Sequence, residues 1–479
     1  MQRGLACAVA LLAAACTTSS PADWADVPAE GGTAWSYDVR VSDDLLRIDV
    51  AMALHGAAPK SLVLGDARGA KYLRSPVATW AGGSKALASD GGEFALDGVG
   101  DDARVTWRVD LEAMTTDGGP ATRIGRSVCA SPGTYLLRPR RVKDGTEASL
   151  TLHVADGDGA SVPWERREDG AYRLPDTAFF WRGFTAFGTL GTHAIDVPGG
   201  RLDVAVLDRR MDASWPALER WLATAARAQT PLWRGFPVPR AQIVVRPVSS
   251  RSAVPFGETL RGGGPAVILL VGDEAPESAF TDDWVAVHEF AHLGMPAIAP
   301  EDAWLSEGFI QYYTEVLMGR AGLYDERGAW QEVLSGFARG RRDGTGAPLG
   351  DESTGMSRSH SYLRVYWAGA AIALFADVEL RRESAGERSL DDALREVGRA
   401  FKGRNDGVPA KEIVAHLDEW LGRPLFSRLA AAHLPSREFP DVAETLARLG
   451  VVVQGDRVTG FDEEAPDAVV RRGIVPAGR

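Results

Sequence analysis

Two histidines, His288 and His292, lie four residues apart in "HEFAHLGMPAIAPEDAWLSEGF", with Glu289 between them and Glu307 further on. On an α-helix of 3.6 residues per turn, positions four apart share one face, so both imidazoles aim at a common point. Glu289 is one step round the helix, near that point but turned aside. This is the HExxH arrangement: two nitrogen ligands for a metal, and a carboxylate placed to reach a water on the metal instead of the metal itself. A catalytic zinc takes three protein ligands and keeps a further position open. Fourteen residues, 293 to 306, separate His292 from Glu307, and Gly294, Pro296 and Pro300 break the helix within them. A second helix returning antiparallel sets Glu307 against the histidine face. The expected site is two nitrogens, one carboxylate oxygen and a water, with one Zn2+ per chain. Its chemistry is hydrolysis. Zinc polarises a carbonyl and lowers the pKa of water to about 7, while Glu289 moves the proton.

The elements that must position these groups can be read directly. Thr281 and Asp282 form an expected N-cap for a helix running from Thr281 to about Leu293. The returning helix is expected from about Ala303 to Met318. Glu315 and Asp302 are candidates to hydrogen-bond the outer nitrogen of a ligand histidine and fix its tautomer; otherwise they are solvated helix carboxylates. His360, in "SRSHSY", is either a hydrogen-bond partner of the reaction intermediate or, as expected for a lone loop histidine, exposed and idle, and the remaining histidines have no motif around them.

At 479 residues the chain exceeds one ordinary core, so two or three domains are expected. The region 35–200 alternates and is rich in turns, with strand-like "WSYDVRV", "LLRIDVAMAL" and "ARVTWRVDL" separated by Gly and Asp clusters. That pattern indicates a β-sandwich or related all-β domain. From 201 to 438 a few strands are followed by helices, which indicates an α+β fold and not a doubly wound parallel sheet. The tail, 439–479, is expected to be a small hairpin appendage. A net charge of -12 argues against a nucleic-acid partner, because phosphate binding wants clustered Lys and Arg.

The first residues are not fold. "MQRGLACAVALLAAAC" places Arg3 before an apolar run too short to span a bilayer, ending on small residues and Cys16. This resembles a bacterial lipoprotein signal at 1–16, with Cys16 becoming the lipidated N-terminus and 17–34 a polar tether. Such a chain is exported and held on the cell envelope, on the outer membrane where there are two. Acylated Cys16 leaves Cys129 without a disulfide partner, and it is expected to be a small buried residue.

"HEFAH", "WLSEGFIQYYTEVLMGRAGL" and "VYWAGAAIALFADVELRRESAGERSLDDALREV" together resemble the glycyl-aminopeptidase family of gluzincin metallopeptidases, with the aminopeptidase-N family a more distant relative. The resemblance covers roughly 201–434. It implies a thermolysin-like zinc peptidase domain behind a β-rich one, acting on a peptide or protein substrate. His288, His292 and Glu307 match the zinc ligands, and Glu289 matches the general base. Tyr366, three residues before Gly369, matches the tyrosine of a Tyr-x-Lys-Gly pattern that stabilises the tetrahedral intermediate, although Ala368 replaces the lysine. Those families also carry a Gly-…-Glu segment that grips the substrate's free amine, where this chain has "GGGPAVILLVG" with no glutamate in place, a stretch suited to an edge strand that pairs with an extended peptide. The spacer before Glu307 is shorter than in the aminopeptidase-N pattern, which argues against that group specifically. Three readings follow: an envelope-tethered zinc peptidase, of aminopeptidase or endopeptidase type; a zinc-holding, peptide-binding lipoprotein with weak or no catalysis; and a structural envelope lipoprotein in which the helical pair is inert.

Overall fold

The computed structural model describes residues 33–477 apart from 117, 181 and 262. The leader, Cys16 and nearly all of the tether lie outside the described residues. The first region is built on an eight-stranded sheet in which Thr33–Val41 lies between Arg47–Leu54, antiparallel, and Glu147–His153, parallel. Alternation in the sequence becomes alternation in burial: Ile48, Val50, Met52 and Leu54 face inward, and Arg47 and Asp49 do not. Two four-stranded sheets complete the region, and all three contribute to one core around Trp35, Phe94, Trp107 and Phe187. Two buried polar groups of that core bind the main chain: Tyr37 donates to the Leu137 carbonyl at 2.6 Å, and the Trp107 indole donates to that of Tyr135 at 2.8 Å.

The second region opens with a five-stranded sheet ordered Leu190–Val197, Gly200–Leu207, Arg240–Val248, Ala266–Gly272, Phe256–Leu260. Its first strand falls inside the 35–200 span, so the change of sheet comes about ten residues before the change of texture. Gly200–Leu207, Arg240–Val248 and Ala266–Gly272 run parallel, and Phe256–Leu260 is the antiparallel edge. This corrects one expectation. Every residue of Ala266–Gly272 is buried, because its apolar run is covered on both faces. The exposed edge belongs instead to the strand before it.

Helices then pack against this sheet in a single core. Cys129 is buried with Leu207, Val244 and Ile268, where the first region meets the sheet of the second, and burial pushes its thiol up to about 12. The tail is more than a hairpin. The paired strands Val451–Gln454 and Arg457–Phe461 are flanked by the helices Ala443–Arg448 and Ala468–Ile474. The tail is docked, not appended: Arg471 is fully buried with its Nε 2.8 Å from Glu326, and Arg320 donates to the Ile474 carbonyl at 2.8 Å. Among the described residues, no helix is long and apolar enough to cross a membrane.

Candidate metal centre

The histidine helix spans Val285–His292 and all eight of its residues are buried. It starts later than expected. Glu277–Phe280 forms a 3-10 turn, and Asp283, not Thr281 or Asp282, supplies the acceptor for the first helical N–H, that of Val285, at 3.0 Å. After His292 the chain turns at Gly294, where a Cβ would stand 2.4 Å from the Trp233 indole. The following segment is pinned by the Val408 N–H donating to the Ala297 carbonyl at 2.7 Å and the Ala299 N–H donating to the Val408 carbonyl at 3.0 Å, and Pro300–Asp302 leads into the helix Ala303–Arg320.

That helix crosses Tyr362–Glu383 at two glycines. A Cβ on Gly308 would lie 2.4 Å from the Gly369 Cα, and one on Gly369 would lie 2.0 Å from the Trp304 carbonyl oxygen. Only glycines permit backbones this close. Glu307 is next to one glycine, and Tyr366 is one turn before the other, so the crossing itself brings carboxylate and phenol together. Behind it, Tyr312 donates to Asp377 at 2.9 Å and ties the two helices together, Arg381 of the same helix holds that carboxylate at 2.8 Å, and Arg320 reaches Asp391 of the following helix Leu390–Ala400 at 2.9 Å. Ala368 is fully buried in this packing, so a lysine there would need a buried partner of its own.

His288, His292 and Glu307 converge. Their ligand atoms all lie within 4.8 Å of one another. The two imidazole Nε2 atoms are 3.1 Å apart, and Glu307 Oε2 is 3.4 Å from that of His288 and 3.3 Å from that of His292. Ligands at 2.0–2.1 Å from a tetrahedral zinc are separated by about 3.3–3.4 Å, so the three atoms fit that ion. The Nδ1 of His288 is 3.0 Å from the Thr314 hydroxyl, which spends its own hydrogen on the Ile310 carbonyl at 2.8 Å. Thr314 is therefore the acceptor, Nδ1 carries the proton, and Nε2 is left as the ligand.

Charge follows geometry. Burial opposes ionisation of Glu307, yet His292 and His288 outweigh it and hold the carboxyl well below its usual range. Burial likewise opposes a charged His288, but Glu307, Glu289 and Glu315 raise it. The Tyr366 phenol is driven well above its usual value by burial and by the charges of Glu307 and Glu289, and its ring stacks on His288 at 6.5 Å. It stays a hydrogen-bond donor at neutral pH.

The two proposed orienting carboxylates each have a partner outside the histidine rings. Asp302 accepts the Ala410 N–H at 2.7 Å and so caps the helix Ala410–Leu421. Glu315 accepts from Gln311 at 3.2 Å and acts on His288 through its charge. His360 is exposed, in a left-handed turn that ends the helix Leu349–Ser359.

One charged residue near the centre escaped the sequence reading. Glu258, on the edge strand, is pushed up to about 7 by burial first and then by the charges of Glu289 and Glu307, with Arg182 opposing. A glutamate thus does stand beside the centre. It lies in "FGETL", ahead of the glycine triplet, and the Gly257–Glu258 pair was its one local signal.

No family model matches the chain, and no curated protein matches it by sequence. Solved structures do match. An aminopeptidase N family protein from Idiomarina loihiensis aligns with a TM-score of 0.69 at 16% identity, over 88% of this chain and 79% of that one. An M1 zinc metallopeptidase from Deinococcus radiodurans gives 0.57 at 14% identity, over 85% and 94%. Yeast LTA4 hydrolase gives 0.54 at 13%, over 87% and 70%. The chain has the fold of the M1 zinc metallopeptidases. At these identities the likeness concerns fold alone, and it shows that the short spacer before Glu307 is compatible with that architecture.

Proposed function

We propose that this chain is a zinc-dependent peptidase that removes residues from the amino terminus of peptides. The observation that carries the reading is the convergence of His288, His292 and Glu307 at tetrahedral spacing, with Glu289 and Tyr366 beside them. When bound by those three residues, zinc supplies Lewis acidity for the scissile carbonyl and acidifies water. Glu289 takes the proton of the attacking water and returns it to the leaving amine. Tyr366 donates a hydrogen bond to the oxygen that becomes negative as the carbonyl is attacked.

Glu258 supports the exopeptidase reading over the endopeptidase one. A carboxylate partly removed from water next to the reacting groups suits the ammonium of a peptide's first residue, and the free side of the edge strand suits the extended chain behind it. The Deinococcus radiodurans enzyme has been solved, as a variant, with a Tyr-Ser-Ala substrate. The alternative, a protein that holds zinc and peptide without cutting, loses half its motive once Glu258 is in place and rests on Ala368 alone. Paired peptides with free and acetylated amino termini test the reading. Wild type is expected to cleave only the free form, and Glu258→Gln to lose that preference; equal cleavage of both by wild type contradicts the aminopeptidase assignment.

Anchoring through Cys16 is part of the same proposal and rests on the leader sequence. Cys16→Ser is expected to release the protein from the membrane fraction, and retention of that variant there would contradict the anchor.

A further inference from the structure

The edge strand faces the catalytic helix with every second residue. Successive side chains of a strand point to opposite sides, so Gly257, Thr259 and Arg261, which follows the strand, share one side and Glu258 takes the other. All three on the helix side touch the catalytic segment. A Cβ on Gly257 would fall 2.7 Å from Glu289 Cγ and 3.2 Å from its Cδ, so the absent side chain is the space through which Glu289 passes. The Thr259 hydroxyl lies 2.6 Å from the Glu289 carbonyl oxygen and 2.9 Å from Glu289 Oε2. Arg261 grips the His292 carbonyl with Nε at 3.1 Å and Nη2 at 2.8 Å.

We infer that Thr259 is a positioning residue for the general base. One hydroxyl shares its single hydrogen between the main-chain carbonyl and the carboxylate of the same residue, which restricts the Glu289 side chain to one rotamer. It engages Oε2 and leaves Oε1 without a hydrogen bond among the described residues, as the oxygen that takes the proton. Gly257 shapes the same channel by leaving it empty. Because Glu258 sits between the two, the strand that holds the substrate's amine also sets the base, and substrate and proton acceptor are placed by one rigid element. A displacement of about 1 Å is enough to cost a hundredfold in rate. This inference rests on the peptidase reading above.

The test uses Thr259→Val, which keeps the shape and removes the hydroxyl, and Thr259→Ser, which restores it. In zinc-loaded full-length protein, with an amino-acid p-nitroanilide as substrate, Thr259→Val is expected to lower kcat about 10- to 100-fold. Its KM is expected within about twofold of wild type and its zinc at one per chain, with Thr259→Ser recovering most of kcat. Unchanged kcat, loss of zinc in step with loss of rate, or no recovery in Thr259→Ser would each overturn it. Crystal structures of zinc-loaded wild type and Thr259→Val provide a readout independent of turnover. The Glu289 carboxylate is expected to leave its wild-type position in the variant, and an unmoved carboxylate overturns the inference even if wild type cleaves nothing, an outcome that by itself counts against the peptidase reading alone.

Discussion

The helices that carry His288, His292, Glu307 and Tyr366 and the edge strand that carries Glu258 and Thr259 reach the same point by different physics. The helices are fixed from behind, by a fully buried segment, a glycine–glycine crossing and the Tyr312–Asp377–Arg381 network. The strand, held in the sheet by its pairing with Ala266–Gly272, is set at the site itself by a Thr259 hydroxyl shared between two Glu289 oxygens, the Arg261 guanidinium on the His292 carbonyl and a missing side chain at Gly257. One arrangement makes the metal ligands a product of core packing. The other makes the base and the amine anchor a product of a few polar contacts. Damage should therefore differ in kind: changes to the helices remove the metal or the fold, and changes to the strand leave both intact and alter rate or substrate binding.

The largest effect is expected from Glu307→Ala. It removes the one anionic ligand and leaves two imidazole nitrogens 3.1 Å apart with nothing to share but each other. Zinc content measured after dialysis should fall to background with activity lost, while near-wild-type secondary structure persists in circular dichroism. Gly369→Ala comes next. Its Cβ would enter the Trp304 carbonyl, forcing the helices apart at a cost of about 3 kcal/mol, read as a lowered Tm. A smaller effect belongs to the strand and depends on pH. Glu258 must be ionised to hold an ammonium, and its carboxyl is raised to about 7 by burial and by Glu289 and Glu307. Binding of the amine is thus complete above that pH and lost as pH falls through it. A bound zinc offsets the two carboxylate charges, so the loss begins below pH 7. KM for free-amine peptides should rise several-fold toward acid in wild type and stay flat in Glu258→Gln.

The same contrast governs what could be read without coordinates. Helical spacing is rigid, so His288 and His292 four apart, Glu307 beside Gly308, and Tyr366 three before Gly369 each carry their geometry in the chain. Alternation exposed the strands of the first region for a similar reason, since one of their faces is wet. Glu258 and Thr259 carried no such signal. Their positions depend on which strand of the sheet lies at the edge, and the strongest apolar run, Ala266–Gly272, drew attention to the interior strand instead. Thr314 was hidden differently: a threonine in a buried helix reads as packing until its hydroxyl is seen against His288 Nδ1. The late start of the histidine helix at Val285 came from a local choice between neighbouring caps, which a run of Thr281, Asp282 and Asp283 leaves undecided.

Metal content and release of amino-terminal residues from a peptide library, measured together for wild type and Glu289→Gln, test the central claim most directly. The account predicts one zinc per chain in both proteins, with cleavage by wild type and none by the variant. A wild-type protein that binds no zinc, or a Glu289→Gln protein that cuts as fast as wild type, would contradict it.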